Sequence, residues 1–406
     1  MKIGVITIYP NKNERYSYKG GVATYTKNLM EAIVSFDKNI KVTVLAEREG
    51  NEFFYYEEGR RIKVIRSWRR GWGFAKDIIR SVNKENLKFI HLHQEFRLYG
   101  EIYTSFLFLY LLWRLKTMRI KTVVTIHGIL SSRSINKDFI KENNINFPPF
   151  LVKIAFKIVL WGIGKLAGRV IVHDALFKRF LVEDYRVEAR KISVIFLGVE
   201  DLKNKISRDQ ARRILGIKKK RVVLFFGYVT GYKSPDILLK AFADYAKIDK
   251  DVLLIFAGGK HPKMKEDKKY LEKYESLENL GRKVNKGQIW WYGFIEEKDI
   301  EKVIMASDLL VFPYAVAISA SGPLALGFSY KKPFLISETL KEMFDNKEIV
   351  FKNNPRSLSL KMKEFFDKKI EIDDFVKKER EKRVWKMVAK ETLNVYNILI
   401  PFAKSK

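Results

Sequence analysis

The residues of this sequence whose types and spacing could do chemistry follow short apolar runs. Lys233 comes after the run 222–226, just before a segment with helical periodicity, and Ser319, Ser321 and Gly322 come after the run 309–313 in the same way. An ammonium group, small residues and a helix N-terminus can together hold phosphate, because backbone N–H groups and the helix dipole both favour an anion. A solvated lysine and a plain N-cap are the ordinary alternatives, although capping by Ser321 would not require its neighbours to be small.

Glycines stand at the ends of other apolar runs and extend this pattern. Gly20 and Gly21 come before an expected helix, and Gly227 and Gly258 each follow an apolar run directly. Because glycine has no Cβ, a ligand can approach its backbone closely; a tight turn with positive φ is the alternative explanation. The G-x-G-x-x-G spacing is absent after the first run, so the sequence does not carry the dinucleotide-binding fingerprint.

Four of the five histidines lie at or near the ends of apolar runs in the first half of the chain, namely His91, His93, His127 and His173. His127 is followed directly by Gly128, which places it where a ligand could reach it; a satisfied structural histidine is the alternative. His91 and His93 share a face of their run. No second pair of carboxylate or imidazole ligands has matching spacing, so no metal site is predicted.

Strands and helices that alternate along the chain would position these residues. In the first half, the expected strands are 2–9, 41–46, 62–67, 88–93, 121–127, 170–173 and 191–196, and the expected helices are 21–34, 74–82, 101–116 and 150–166. In the second half, the expected strands are 222–226, 252–257, 289–292, 309–313 and 333–336, and the expected helices are 235–246, 264–280, 297–306 and 322–330. Apolar strands that alternate with helices predict parallel sheets covered on both faces.

The fold class is therefore α/β, with two doubly wound Rossmann-like domains facing across a cleft. We expect an N-terminal domain over 1–197, a linker over 198–207 and a C-terminal domain over 208–374. Residues 375–406 would contain a long helix over 375–400 that packs back on the N-terminal domain. Ligands of open parallel sheets bind outside the carboxyl ends of the strands, so the cleft is the expected site.

Composition excludes several classes of protein. The chain has 406 residues, 47% of them hydrophobic and 31% charged, which is a globular balance and not that of a disordered or fibrous chain. The net charge of +31 would suit a polyanionic partner, but +16 of it lies in residues 1–200 and the rest in the second half. Because this charge is spread evenly, a nucleic-acid partner is not expected.

The absence of cysteine excludes a disulfide scaffold, a thiolate metal site and a cysteine nucleophile. Only three glutamines accompany the many Lys and Glu residues, a bias that favours a thermophilic source. The N-terminus resembles a first strand and not a signal peptide. The longest apolar stretch, 102–113, is short of the roughly 20 residues that span a bilayer, so we expect a cytoplasmic protein, either soluble or peripheral to the membrane.

One segment favours an anionic membrane surface as a partner. Residues 66–74, from Arg66 to Phe74, mix bulky aromatics with three arginines, and the apolar stretch 102–113 is followed by Arg114 and Lys116. Aromatic and basic side chains together suit the headgroup layer of a bilayer. A core helix with a solvated end is the alternative.

Several motifs, in order, resemble one known family. They are GGVATYTKNL, VVTIHG, LGVED, LFFGYVTGYKSPDILLKAF, FAGG, WYGFIEEKDIEKVIMASDLLVFPY and SGPLALGFSYKKPFLIS. Together they resemble the retaining family-4-type glycosyltransferases of the GT-B fold, which transfer a sugar from a nucleotide-sugar to an acceptor. The resemblance covers most of the chain and is strongest over 222–242 and 287–336.

The resemblance implies a role for each matching residue. Gly20 and Gly21 would lie against the donor diphosphate, and His127 would approach the transferred sugar. Lys233 would neutralise the phosphates of the leaving nucleotide, so His127 and Lys233 are the candidate catalytic residues. The loop from Ser319 to Gly322 would lie beside the sugar, diphosphate and ribose, with Gly227 and Gly258 completing the substrate-binding set. No cofactor is implied beyond the nucleotide-sugar substrate, and no metal ion.

The sequence departs from the family pattern at the ligand-binding positions. Two glutamates usually present would fall near Ile318 and Leu326, and the second of these generally binds the ribose. The basic partner of Lys233 is also missing, since Tyr228 and Thr230 occupy its expected positions. An S-x-S-G loop occurs in some members, so the pattern would mark a subgroup.

Two aspartates superficially match a D-x-D metal motif. Asp249 and Asp251 precede the expected strand 252–257, which places them at the edge of the sheet opposite the ligand site. They therefore do not change the expectation of a metal-independent enzyme.

Two functions follow as alternatives. The first is a glycosyltransferase that acts with retention on a glycan or lipid-linked acceptor. The second is a catalytically degenerate GT-B protein that binds a sugar nucleotide or glycan without turnover, which the missing glutamates favour.

Overall fold

The computed structural model describes residues 2–12, 14, 21–48, 53–101, 103–143, 145–202, 206–261, 264, 266–284 and 287–400. The chain forms two compact units. The first consists of residues 1–198, 318–320 and 382–406, and the second of residues 199–317 and 321–381. Each contains a sheet dominated by parallel strands, so the prediction of two α/β domains is confirmed.

The sheet of the first unit has the order β3-β4-β2-β1-β5-β6-β7-β8. Its strands are β1 Lys2–Thr7, β2 Lys41–Glu47, β3 Phe54–Glu57, β4 Ile62–Trp68, β5 Phe89–Gln94, β6 Lys121–Ile126, β7 Arg169–Val172 and β8 Ile192–Val194. Every pairing is parallel except that of β3, which forms an antiparallel edge with β4. β3 has no counterpart among the expected strands, because only one of its four residues, Tyr55, is buried.

Helices of the first unit are α1 Gly21–Phe36, α2 Phe74–Lys84, α3 Thr104–Thr117, α4 Lys137–Glu142, α5 Pro149–Leu166, α6 Ala175–Glu183 and, at the end of the chain, α14 Trp385–Leu399. α1 packs against α14. A buried core cluster joins the strands to both helices, through Leu29 and Ile33 of α1 and Leu393 and Tyr396 of α14. α3 packs against both α2 and α5.

The sheet of the second unit is fully parallel, with the order β11-β10-β9-β12-β13-β14. Its strands are β9 Arg221–Phe226, β10 Val252–Ala257, β11 Ile289–Gly293, β12 Leu309–Phe312, β13 Phe334–Ser337 and β14 Val350–Phe351. Its helices are α7 Arg208–Ile214, α8 Pro235–Ile248, α9 Lys268–Val284, α10 Glu297–Ala306, α11 Gly322–Ser329, α12 Pro355–Phe366 and α13 Asp373–Arg383. All six residues of β10 are buried, as expected for a strand covered on both faces.

The strand order of the second unit locates a ligand site. From β9 the chain proceeds to β10 and β11 on one side, whereas β12, β13 and β14 continue on the other. The loops after β9 and β12 therefore diverge at the point where the order reverses, which is where ligands bind in doubly wound sheets. Lys233 follows β9 and Ser321 follows β12.

The prediction of one long helix over 375–400 was wrong. The segment contains two helices, α13 and α14, separated at Val384, whose φ of −60° and ψ of 142° are those of extended backbone. The sequence gives the physical reason, because α13 is mostly charged whereas α14 carries the predicted buried stripe with Val388, Leu393 and Tyr396. The chain returns from the second compact unit to the first at residue 382, close to this break.

Gly198, the first residue of the predicted linker, has no space for a side chain. A Cβ built on it would lie 2.5 Å from ring atoms of Trp385 at the start of α14. We therefore expect Gly198→Ala to shift the tryptophan and to lower the free energy of unfolding of the first unit by about 1–3 kcal/mol, the usual cost of overpacking. Thermal unfolding followed by circular dichroism measures this.

Gly73→Ala is the matched control, since a Cβ at Gly73 would meet nothing within 4 Å. Equal melting temperatures for the two alanine variants would contradict a close contact between Gly198 and Trp385.

Candidate functional site

Lys233 is the most unusual charged residue of the second unit. It lies in a single 3₁₀ turn, Gly231–Lys233, between β9 and α8, and it is only 5% exposed. Burial lowers the pKa of its ammonium to about 8. Within the described part of the chain, no carboxylate pairs with Nζ; its neighbours are the rings of Tyr232 and Tyr314, whose centroids lie 5.8 and 6.0 Å away.

Such an arrangement favours an anionic ligand. A buried charge is costly unless it is paired, and two aromatic faces replace only part of the lost hydration. A phosphate group that binds beside Nζ would supply the missing counter-charge. The site therefore has a preference for anions built into the protein before any ligand arrives.

Gly227 leaves the space in which Nζ lies. Its φ is +107°, and a Cβ at this position would come within 2.8 Å of Lys233 Nζ and 2.9 Å of Pro323 Cγ. Gly258, with a φ of +141°, follows the neighbouring strand β10, and a Cβ there would collide with the Gly227 backbone. Both glycines have the positive φ that the sequence analysis gave as one explanation, and the atoms close to them belong to the protein itself.

The loop after β12 reaches the same place. Pro323 lies in the first turn of α11, and its ring carbons would touch a side chain at Gly227. Ser321 is the N-cap of this helix. The Ser321 hydroxyl accepts a hydrogen bond from Leu324 N at 3.3 Å and lies 3.0 Å from the Tyr314 hydroxyl. Gly322 is exposed with open space around it. Lys233, Gly227, Gly258, Ser321 and the start of α11 are thus brought together.

Three predicted site residues do not lie beside Lys233 in the second unit: two belong to the first unit and one lies outside the described residues. Ser319 belongs to the first unit, where it forms a bridge with Gly128, and Ile129 N donates to Ile318 O at 2.8 Å. Gly21 is the exposed first residue of α1. Gly20 lies outside the described residues, so the predicted pair of glycines is described only in part.

His127, the other candidate catalytic residue, is part of a chain of histidines in the first unit. His173 Nδ1 lies 3.0 Å from the Ile195 carbonyl oxygen, and His173 Nε2 lies 3.1 Å from His127 Nδ1. His127 Nε2 in turn lies 2.8 Å from His93 Nδ1. The ring of Tyr25 covers these three rings edge-on, with centroid distances of 4.9 to 5.7 Å.

The carbonyl at one end determines the tautomer of every ring. A carbonyl only accepts, so His173 carries its proton on Nδ1 and accepts at Nε2 from His127 Nδ1–H; His127 Nε2 then accepts from His93 Nδ1–H. His93 Nε2, at the far end, is buried without a hydrogen-bond partner in the described part of the chain. Both ring nitrogens of His127 are therefore engaged by other histidines, and only 7% of the residue is exposed.

His91 lies beside this chain but bonds elsewhere, with its ring nitrogens 2.6 Å from the Tyr396 hydroxyl and 2.7 Å from the Thr125 hydroxyl. Burial lowers the pKa of all four imidazoles, to about 3 for His91, to about 4 for His173, and well below the usual value for His93 and His127. Among the described residues, no group of three or more histidine, aspartate or glutamate side chains is placed to share a metal ion.

The prediction of a membrane surface over Arg66 to Phe74 was wrong for the two ends of that segment. Arg66 is buried, and its guanidinium donates to the carbonyl oxygens of Tyr9 at 3.0 Å and Pro10 at 2.6 Å. Trp68 and Phe74 are also buried. Arg66 therefore holds the backbone that follows β1. The middle of the segment, with Arg69, Arg70 and Trp72, is exposed.

Several residues around Lys233 and around the chain of histidines were not identified from the sequence. Tyr25, Tyr232 and Tyr314 were not singled out, because a tyrosine in an apolar context gives no signal beyond core packing. The position of Tyr314, two residues after β12 and at a predicted ligand loop, is the one cue that could have identified it.

The histidine chain makes a specific prediction about pH. In the unfolded chain each imidazole has a pKa of about 6.5, so below that pH the unfolded state binds protons that the folded cluster refuses. The contribution of the neutral histidines to the free energy of unfolding is fully present above pH ~6.5. It is lost as the pH falls towards 4, by about 1.4 kcal/mol per pH unit for each buried histidine. The melting temperature should fall steeply as the pH is lowered from about 7.5 to 5. This pH interval lies above the range in which most carboxylates titrate.

His173→Gln should reduce that slope, although it lowers stability at neutral pH, and His261→Gln in the second unit is the matched control. A melting temperature that does not change over this range would contradict the neutral histidine chain.

Both halves of the chain match models of glycosyltransferase families. Residues 19–201 match the family described as Glycosyltransferase Family 4, and residues 207–382 match Glycosyl transferases group 1. Among curated proteins, Spore coat protein SA from Bacillus subtilis (strain 168) is 32% identical over 105 residues, which is 26% of this chain and 27% of the relative. The chain thus spans about a quarter of the length of the curated relative that it matches.

Solved structures share the fold over nearly the whole chain. HepE from Anabaena in complex with UDP is 14% identical, with a TM-score of 0.69, over 98% of this chain and 100% of the other. Sucrose-phosphate synthase from Thermosynechococcus elongatus is 15% identical, with a TM-score of 0.70, over 98% of each chain. At these identities the likeness concerns the fold. Together with the two family matches, it shows that the chain belongs to the family-4-type glycosyltransferases of the GT-B fold.

Proposed function

We propose that the protein transfers a sugar from a nucleotide-sugar donor to a glycan or lipid-linked acceptor, with retention of configuration and without a metal ion. The observation that carries the proposal is the buried Lys233 ammonium, which has no carboxylate partner among the described residues and lies beside Gly227 and the start of α11. The donor diphosphate is the anion that we assign to this position.

The chemistry requires stabilisation of the leaving group. The bond between the anomeric carbon and the diphosphate oxygen breaks, and its electron pair leaves with the nucleoside diphosphate. The acceptor hydroxyl oxygen forms the new bond to the same carbon and loses its proton. Negative charge grows on the diphosphate as the bond breaks, so a fixed ammonium and helix N–H groups in a dry site lower the barrier.

The related proteins support parts of this proposal. Structures of HepE have been solved with UDP, with UDP and glucose, and with UDP-glucose, so UDP-sugars are the first donors to test. WaaG, another structure with the same fold, is described as a glycosyltransferase involved in lipopolysaccharide biosynthesis, which supports a glycan or lipid-linked acceptor. Retention is supported by the resemblance of the motifs.

The diphosphate should supply most of the donor affinity, because α11 contains no acidic residue that could bind the ribose hydroxyls. Nucleoside diphosphates should therefore raise the melting temperature far more than nucleosides do, and EDTA should leave this effect unchanged. Thermal shift measurements with UDP, GDP, ADP and uridine test this. Equal shifts with uridine and UDP, or loss of the UDP shift in EDTA, would contradict the proposal.

Turnover should depend on the charge of Lys233. We expect Lys233→Met to keep the apolar stem and to lower kcat by about 10²–10³-fold, the usual effect of removing one charge-stabilising donor. Release of nucleoside diphosphate from the donor in the presence of an acceptor measures this.

The affinity of the free enzyme for UDP should also weaken as the pH rises through about 8, where Lys233 loses its proton, and Lys233→Met should remove that dependence.

Lys240→Met is the matched control, since it removes an exposed lysine from α8, the helix that follows Lys233. A Lys233→Met enzyme within a few-fold of wild type would contradict the role of the ammonium. Donor binding without any release of nucleoside diphosphate would instead favour the non-catalytic alternative.

A further inference from the structure

Two neighbouring helices of the first unit expose an apolar surface. On α5, the exposed side chains are Phe150, Leu151, Ile154, Ile158 and Trp161, and on α3 they are Phe106, Tyr110 and Trp113. The helices lie side by side, since a Cβ on Gly162 of α5 would come within 2.9 Å of the Leu109 side chain on α3. We call this surface the α3–α5 face.

The opposite sides of both helices are used by the core. Val159 and Ile163 of α5, and Leu111 and Leu115 of α3, are buried. Each helix is therefore apolar on two sides, and only one side is covered within the protein. Contiguous exposed apolar surface of this kind is rare on proteins that have no partner for it.

The charged residues that α3 and α5 themselves contribute are all basic, although Lys165 pairs with Glu188. α3 contains Arg114 and Lys116, α5 contains Lys153, Lys157 and Lys165, and neither helix contains an aspartate or a glutamate. Lys153 and Lys157 are exposed between the apolar residues of α5 and form no ion pair within the described part of the chain. Long basic side chains flanking an apolar face can reach lipid headgroups while the apolar residues enter the acyl boundary.

A further pair of aromatic rings extends this surface. Trp72, which is 71% exposed, stacks on Tyr103 at the start of α3 with ring centroids 4.2 Å apart. α3 begins after the carboxyl end of β5, so the stacked pair lies at the edge of the sheet where ligands of doubly wound folds bind. A bilayer seated on this face would be close to that edge.

We propose that the α3–α5 face is a docking surface for a bilayer that contains anionic lipid. A second copy of the chain fits the charge less well. A two-fold interface pairs the same surface with itself, so two copies would place Lys153 and Lys157 opposite the same lysines with no acidic residue on either helix to compensate. No helix among the described residues is long and apolar enough to cross a membrane, so the proposed attachment is interfacial.

This inference does not rest on the proposed reaction, because docking requires neither a donor nor a lipid-linked acceptor. The experiment is co-sedimentation with vesicles of phosphatidylcholine, with and without phosphatidylglycerol. We expect the wild-type protein to bind only the vesicles that contain phosphatidylglycerol, and to bind them less as salt is added.

Two variants separate the apolar and the charged contributions. Ile154→Ser/Ile158→Ser should lower vesicle binding at least tenfold, and so should Lys153→Glu/Lys157→Glu, because each basic residue near an anionic surface contributes several-fold in affinity. These four side chains are exposed, so the variants should melt like the wild type. Donor binding in solution should be unaffected, which distinguishes a failure of docking from a failure of the enzyme.

The matched controls make the same changes elsewhere. Ile248→Ser/Leu360→Ser removes two exposed apolar side chains from the second unit, and Lys377→Glu/Lys378→Glu reverses two exposed charges on α13. Both should bind vesicles like the wild type. Absence of binding to anionic vesicles, or equal losses in the control variants, would overturn the proposal. So would a stable dimer in sedimentation velocity that Ile154→Ser/Ile158→Ser dissociates, since a second copy would then cover the face.

Discussion

A lysine ammonium that is buried with no counter-charge among the described residues is the constraint on which the second unit depends. Removing Lys233 from water disfavours its charged form and lowers its pKa to about 8, so the free protein holds the charge at a cost. The cost is acceptable only if a ligand uses the charge. Gly227 and Gly258 follow from the same constraint, since a side chain at Gly227 would displace Nζ and one at Gly258 would displace Gly227.

The first unit also buries ionisable side chains, but it keeps them uncharged. His93, His127 and His173 are buried at the ends of neighbouring strands, and each satisfies the next through an N–H···N hydrogen bond. The Ile195 carbonyl sets the direction of the chain, so the three rings stay neutral and form one rigid group. The resemblance assigned His127 an approach to the sugar, yet its ring nitrogens already bond other histidines. A direct hydrogen bond from this imidazole to a substrate would require the chain to rearrange.

The sequence predicted what depends on local order along the chain, and it failed where distant segments meet. Alternating strands and helices placed Lys233 and Ser321 after parallel strands, which was enough to infer one ligand edge. The contact of Pro323 with Gly227, and the ring of Tyr314 over Lys233, depend on the sheet order, which periodicity does not reveal. Arg66 illustrates the same limit. Its neighbours Trp68 and Arg70 looked like a surface motif, but the carbonyls that Arg66 binds belong to the loop after another strand.

The net charge of +31 divides into parts with different physical roles. Lys233 and Arg66 are single buried cations, each held by specific neighbours, and neither contributes to the outer surface. Much of the remainder is exposed and, counted by halves of the chain, evenly spread, which explains why composition alone could not name a partner. At the scale of single helices the distribution is uneven. α3 and α5 combine cations, no acids and exposed aromatic rings, whereas α13 mixes both signs and has little apolar content. Because interfacial binding needs apolar area and positive charge on the same face, α3 and α5 satisfy its requirements and α13 does not.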